Sequence, residues 1–238
     1  MAGRGLRFRE AGFNTPKFAI RVRGRSLLEW SLTSLHGFIA DGAELVFLAQ
    51  RLDDAREAVA HAVSESGAVA SAFRLVELDS ITDGQATTAL HAAAEIGDLD
   101  APLLIYNTDT FVEPRYLRPL DVRGDGWIPC FDAPGEHWSF VRAGEDGRVF
   151  EVREKRRISA HASVGLYYFA SFTVYREAYD RCYGSGDKGE AGERYIAPLY
   201  NELVSQGRPV FLHTIPPDRV HPLGTPEEVA RFEGARQP

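Results

Sequence analysis

The sequence predicts an α/β fold with a mostly parallel mixed sheet flanked by helices. Three observations carry that prediction. Short apolar runs alternate with amphipathic, helix-spaced segments through residues 26–106. The gaps between them are short, as between elements packed in successive layers. The last run of the series, PLLIY at 102–106, opens directly into Asn107-Thr108-Asp109-Thr110. Ligands of parallel α/β sheets sit at such carboxyl ends.

The elements follow in order. Residues 26–40 place Leu27, Leu28, Trp30, Leu32, Leu35 and Phe38 mostly at helical spacing, with Ser26 as N-cap. ELVFLA at 44–49 is a short apolar run expected as a buried strand. Residues 53–66 form a second amphipathic helix ending near Gly67, 72–78 alternate as a strand, and 85–96 suit a helix behind Gly84. The second half is less regular. WIPCF, WSFVRA and VFEVRE are strand-like pieces between glycine and acidic turns, and GLYYFA at 165–170 is a strong apolar strand. Helices are expected over 171–182 and 195–205, and PVFLHTI at 209–215 is a late strand. TPEEVARF starts a helix capped by Thr225, with Pro226 in its first position. GSGDKGEAG at 184–192 is either a mobile loop over a site or a surface linker. No internal repeat or Pro/Ser-rich linker interrupts the chain, and one domain is expected over 1–238.

Composition narrows the function classes. The 238 residues are enough to bury a sizeable core. A formal net charge of -7 argues against a broad grip on nucleic acid. Yet Arg4, Arg7, Arg9, Arg21, Arg23 and Arg25 crowd the first 25 residues, which suits a small anionic ligand. Two cysteines, Cys130 and Cys182, are far apart and lie in no CxxC pair, so a zinc or disulfide scaffold is not expected and a reducing cytoplasm fits. No run of 18 apolar residues suggests a membrane span.

Several residues bear on chemistry. Gly3, Arg4, Gly5 and Arg7 form a glycine-bracketed basic turn, followed by Lys17 just after Pro16. Glycines let backbone amides approach an anion and the cations neutralise it. The turn is either a cradle for a phosphate-rich ligand such as a nucleoside triphosphate or a basic N-terminus without one. Asp109 sits at a strand end, as a Mg²⁺ ligand or as an N-cap or Asx-turn acid that closes a loop. Gly84-Gln85 opens a helix after Thr82-Asp83; the glutamine reads a base edge, or Asp83 merely caps. Glu154-Lys155 ends a strand-like segment, to orient a phosphate and a hydroxyl or as part of a solvated charge run. Glu193 reaches a ligand hydroxyl or favours the positive end of a helix. Motifs for phosphate-loop ATPases, zinc proteases, serine hydrolases and kinases are absent from the sequence.

Taken together, MAGRGLRF, TPKFAI, RGRSLLEW, TDGQATTAL, YNTDTF, VREK, ASVGLYYF, GERYIAPLYNELVSQG and HPLGTPEEVARF resemble the sugar-1-phosphate nucleotidyltransferases and their relatives that activate non-sugar phosphates. The segments span nearly the whole chain in that family's order. The resemblance implies a Rossmann-like fold of the nucleotide-diphospho-sugar transferase type, with a nucleotide-binding half at 1–125 and an acceptor-binding half at 126–238. It implies that Gly3, Gly5 and Arg7 cradle the triphosphate and that Lys17 steadies it during transfer. Gly84 and Gln85 would lie near base or ribose, and Asp109 would hold Mg²⁺. Glu154, Lys155, Gly165 and Glu193 would line the acceptor side. The expected partners are an NTP and a small phosphorylated acceptor, with neither nucleic acid nor membrane.

Three departures stand out. The family's leading strand is missing ahead of the phosphate loop, so a start upstream of Met1 is expected. Many relatives carry a second metal-binding aspartate before the late Gly-Thr pair; here that place reads His221-Pro222-Leu223-Gly224, leaving Asp218 as the candidate substitute. The lysine usual after the third loop glycine is Arg25. The implied activity is Mg²⁺-dependent nucleotidyl transfer, as in nucleotide-sugar biosynthesis. The alternatives are a degenerate nucleotide binder or an NDP-sugar-dependent glycosyltransferase.

Overall fold

A computed structural model describes residues 1–3, 5–67, 73–186, 189 and 192–235 of the chain. Arg4 and part of the 184–192 segment lie outside the described residues. Helix α1 (Leu6–Glu10) follows Gly5, and strands β1 (Arg21–Val22) and β2 (Arg25–Ser26) form a tight hairpin leading into α2 (Leu27–Ser34) and α3 (His36–Ala40). Next come β3 (Leu45–Gln50), α4 (Arg56–Glu65), β4 (Phe73–Leu78), α5 (Gln85–Leu90), β5 (Leu103–Tyr106) and β6 (Thr110–Val112). A strand-rich stretch follows: β7 (Gly126–Asp132), β8 (Ser139–Ala143), β9 (Val149–Glu154), β10 (His161–Ser163) and β11 (Leu166–Phe169). The chain closes with α6 (Phe172–Tyr183), α7 (Tyr200–Ser205), β12 (Val210–Thr214), β13 (Val220–Pro222) and α8 (Pro226–Gly234).

Caps predicted from sequence are formed. The Ser26 hydroxyl accepts from the Glu29 amide at 3.1 Å while Glu29 accepts from the Ser26 amide at 2.7 Å, a reciprocal box at the start of α2. Thr225 accepts from the Glu228 amide at 3.2 Å with Pro226 at the first position of α8. The helix expected over 195–205 is shorter. A 3₁₀ turn at Ala197–Leu199 precedes α7, because Pro198 lacks a donor and restrains the residue before it. Glu193 therefore stands in an irregular segment ahead of the helical turns and not at a helix N-terminus.

The chain forms two compact units that interleave in sequence. One comprises Met1–Ile81, Asn107–Pro119 and Asp218–Pro238; the other, Thr82–Tyr106 and Leu120–Pro217. This differs from a division near residue 125. The late segment returns to the first unit because β13 pairs antiparallel with β6, Val220 opposite Val112 and Pro222 opposite Thr110.

In the first unit β3 and β4 pair in parallel across the α4 crossover. Phe18, Leu28, Leu32, Phe47, Ala49, Val59 and Val63 form one buried cluster there. Phe8, Ile20, Leu27, Phe111, Leu223 and Phe232 form another, joining α1, α2, β6 and α8. In the second unit the sheet order is β5-β11-β7-β10-β8-β9, with β12 on β7. The sheet is not mostly parallel. Among the described strands only β3–β4 and β7–β12 pair in parallel. Strands joined by short turns, such as β8 and β9 across residues 144–148, must run antiparallel; parallel pairing needs a crossover of about a dozen residues or more. No described helix is long and apolar enough to cross a membrane.

Candidate active site

The first unit brings three of the expected residues together, Lys17, Asp109 and Gly5. Lys17, at the start of a 3₁₀ turn behind Pro16, donates to Asp109 Oδ2 at 2.7 Å, with side chains 25% and 31% exposed. Gly5, in the left-handed region at φ 60°, has its missing Cβ 3.6 Å from Lys17 Cβ. The Asp109 carbonyl accepts from the Leu223 amide at 2.8 Å, which draws the late segment to the same place. Arg7 is exposed and lines an open groove with Glu10, Ala11, Pro226 and Glu227. Gly3 is exposed, with open space where its Cβ would be.

Gly224 was not singled out by sequence as a site residue. A Cβ there would stand 3.3 Å from Glu228 Oε2, 3.5 Å from Asp109 Oδ2 and 3.9 Å from Lys17 Nζ. Its place immediately before a capped Thr-Pro helix start was the available signal. Among the described residues no group of three or more His, Cys, Asp or Glu side chains is placed to hold a metal ion. The donor chemistry at Gly224 nevertheless fits a hard divalent cation, with carboxylate oxygens of Asp109 and Glu228 both near that glycine.

Asp218 does not belong to this corner. It lies in the 3₁₀ turn Pro217–Arg219 ahead of β13, five residues before Leu223, whose amide meets the Asp109 carbonyl. Its carboxylate meets Arg219 at 3.1 Å instead. Arg25 sits over the Trp30 ring at 5.3 Å and donates to Thr33 at 3.3 Å.

The second unit holds the remaining expected residues in three groups. Gly84 (φ 150°) lets two backbones touch: a Cβ there would lie 2.4 Å from both N and O of Arg194. The Arg194 amide donates to Asp83 O and the Ala86 amide to Arg194 O, both at 2.9 Å. The Arg194 side chain reaches Asp83 at 3.1 Å and Tyr179 Oη at 2.7 Å. Gln85 starts α5 directly beside this bridge.

Glu154 is buried and accepts from the Ser139 hydroxyl, which lies 3.3 Å from Tyr167 Oη. Burial, reinforced by Glu154, pushes the Tyr167 phenol far up, so it remains a neutral donor. Gly165 (φ 80°) donates from its amide to Ser163 Oγ at 3.1 Å, next to the same network. Lys155 (φ 51°) is exposed and separate from it. Its ammonium donates to Tyr195 Oη and lies 4.5 Å from that ring's centroid, while Tyr195 Oη donates to Glu193. Sequence reasoning missed Tyr195. Its place two residues after Glu193 in the sequence was the one available hint.

No protein-family model matches the chain, and no curated protein matches it. Solved structures do. The nucleoside-diphosphate-sugar pyrophosphorylase from Vibrio cholerae RC9 is 31% identical, with 99% of this chain and 98% of that one covered and a TM-score of 0.89. The inositol-1-phosphate CTP transferase from T. maritima is 15% identical over 100% and 95% of the two chains, TM-score 0.74. The CTP:phosphocholine cytidylyltransferase from Streptococcus pneumoniae is 16% identical over 98% and 94%, TM-score 0.72. The last two share the fold alone. The first is similar in sequence along nearly its whole length, and by that likeness this chain belongs to the nucleotide-sugar and NTP pyrophosphorylase-type transferases.

Proposed function

We propose that this chain joins an NTP to a sugar 1-phosphate or another small phosphorylated metabolite, releasing pyrophosphate. The observation that carries the reading is the Lys17–Asp109 contact at 2.7 Å, flanked by Gly5 and Gly224. It unites a phosphate-neutralising cation, an acid suited to Mg²⁺ and two glycines. The names of the structural relatives support the reaction class: a nucleoside-diphosphate-sugar pyrophosphorylase and two CTP-dependent transferases.

In the proposed reaction an acceptor phosphate oxygen attacks the α-phosphorus of the NTP. A new P–O bond forms, the α–β P–O bond breaks, and its electron pair leaves on pyrophosphate. No protein nucleophile is needed. The chain contributes position and charge. Gly3 and Gly5 admit the triphosphate to the backbone, and Arg7 and Lys17 offset its growing charge. Gly84 and Gln85 face the base or ribose. Lys155 binds the acceptor phosphate, Glu193 accepts from an acceptor hydroxyl, and Glu154 and Gly165 shape the floor beneath them. Asp109 would hold Mg²⁺, which when bound neutralises phosphate oxygens.

The test is a pyrophosphate-release screen of four NTPs against phosphorylated sugars and alcohols with Mg²⁺. Pyrophosphate dependent on both substrates is expected. Binding of NTP without release from any pair would instead identify a degenerate binder.

A further inference from the structure

We infer that Glu228 supplies a second carboxylate for the divalent cation at Asp109, an inference that rests on the reading of that corner given above. In the His221-Pro222-Leu223 stretch before the late Gly-Thr pair, the Pro222 and Leu223 side chains cannot ligate and the His221 ring packs against Phe111 and Phe232. Asp218 is remote. The Glu228 and Asp109 oxygens, by contrast, both lie within 3.5 Å of one point beside Gly224.

Backbone contacts hold both acids there. The Leu223 amide binds the Asp109 carbonyl at 2.8 Å, and the Gly224 amide binds Glu228 Oε2 at 2.8 Å. Glu228 Oε1 has no hydrogen-bond or ion-pair partner among the described residues. A hard cation needs oxygen ligands, and here it would share the Asp109 carboxylate with Lys17 Nζ, which lies 2.7 Å from Oδ2, so a second carboxylate offsets the added positive charge. A Cβ at position 224 would come within 3.3 Å of Glu228 Oε2 and 3.5 Å of Asp109 Oδ2, so a side chain there would touch both acids.

The competing role for Glu228 is purely structural. It is the third residue of α8 and reaches back to the amide preceding the cap. Glutamine performs that task as well, because its amide oxygen accepts the same hydrogen bond. Glu228→Gln therefore removes the charge and keeps the cap, while Glu228→Asp keeps a charge on a shorter arm.

The experiment is a titration of the full chain with Mn²⁺ alone, followed by water-proton relaxation, with thermal unfolding of each variant alongside. The parent is expected to bind one Mn²⁺ with a Kd of about 10⁻⁴–10⁻³ M. Glu228→Gln and Asp109→Asn should each weaken it by ~10-fold or more, with Glu228→Asp intermediate. The inference is overturned if the parent binds no Mn²⁺ in that range, if Glu228→Gln binds within about twofold of the parent, or if Glu228→Asp binds no better than Glu228→Gln. A silent pyrophosphate screen would reject the transfer reading and leave this binding result standing. Loss of the Mn²⁺ difference would do the reverse.

Discussion

The corner at Asp109 and the cluster at Tyr195 hold their charges in different ways. At the corner, Lys17, Asp109 and Gly224 come from three remote segments, and backbone hydrogen bonds tie the last two together. At the cluster, Lys155 and Glu193 share a single phenol near the surface. Fixed charge suits phosphorus chemistry, because dipoles and ions arranged in advance need no reorganisation as charge develops. Exchangeable side-chain contacts suit acceptor binding, and in the proposed reaction Lys155 and Glu193 would trade Tyr195 for a substrate. The corner should therefore govern turnover and the cluster affinity.

The sharpest way to break that contrast is at the corner. Lys17→Ala and Asp109→Asn should each lower kcat by ~10²-fold or more in the pyrophosphate-release assay. Turnover within a few-fold of the parent in both variants would end the claim that fixed charge drives the reaction. Next in size is Gly84→Ala, whose Cβ would meet the Arg194 backbone at 2.4 Å. We expect a loss of about 1–3 kcal/mol in urea unfolding, since a backbone cannot step aside as a side chain can. An unchanged midpoint would show that the bridge to Arg194 yields freely.

Tyr195→Phe should act more gently. It removes the hydroxyl shared by Lys155 and Glu193, and a KM for acceptor changed by roughly 3–10-fold with kcat within about twofold is expected. A selective fall in kcat would erase the division of labour. The smallest effect concerns Glu29, away from both sites. Burial pushes its carboxyl up, but hydrogen bonds from Ser26, with Arg21 and His61 nearby, outweigh this and hold it below the usual 4.5. Its contribution is complete above 4.5 and fades as pH falls through the lower folded value. Glu29→Gln should cost about 0.5–1 kcal/mol near neutrality, and the gap to the parent should narrow as pH falls below 4.5 in parallel urea titrations.

Local physics made much of this legible in the chain itself. Ser26 and Thr225 announced their helices because a cap depends only on residues within one turn. The runs at 44–49 and 102–106 announced strands because they are too short for a helix, and 72–78 did so by its alternation. Lys17 and Asp109 stood out by residue type and position, although nothing in their spacing said they would touch.

Tertiary packing decided the rest. Strand direction in the second unit follows from which neighbours each strand finds, so an alternating pattern in the first half could not foretell antiparallel pairing in the second. Asp218 and Glu228 are both acids near the late Gly-Thr pair in sequence. The β6–β13 ladder carries one toward its far end, while the first turn of α8 brings the other back to Gly224. Chain order constrains neighbours within a turn or two; convergence of residues 17, 109 and 224 depends on hydrogen bonds and core contacts that form only when the whole unit packs.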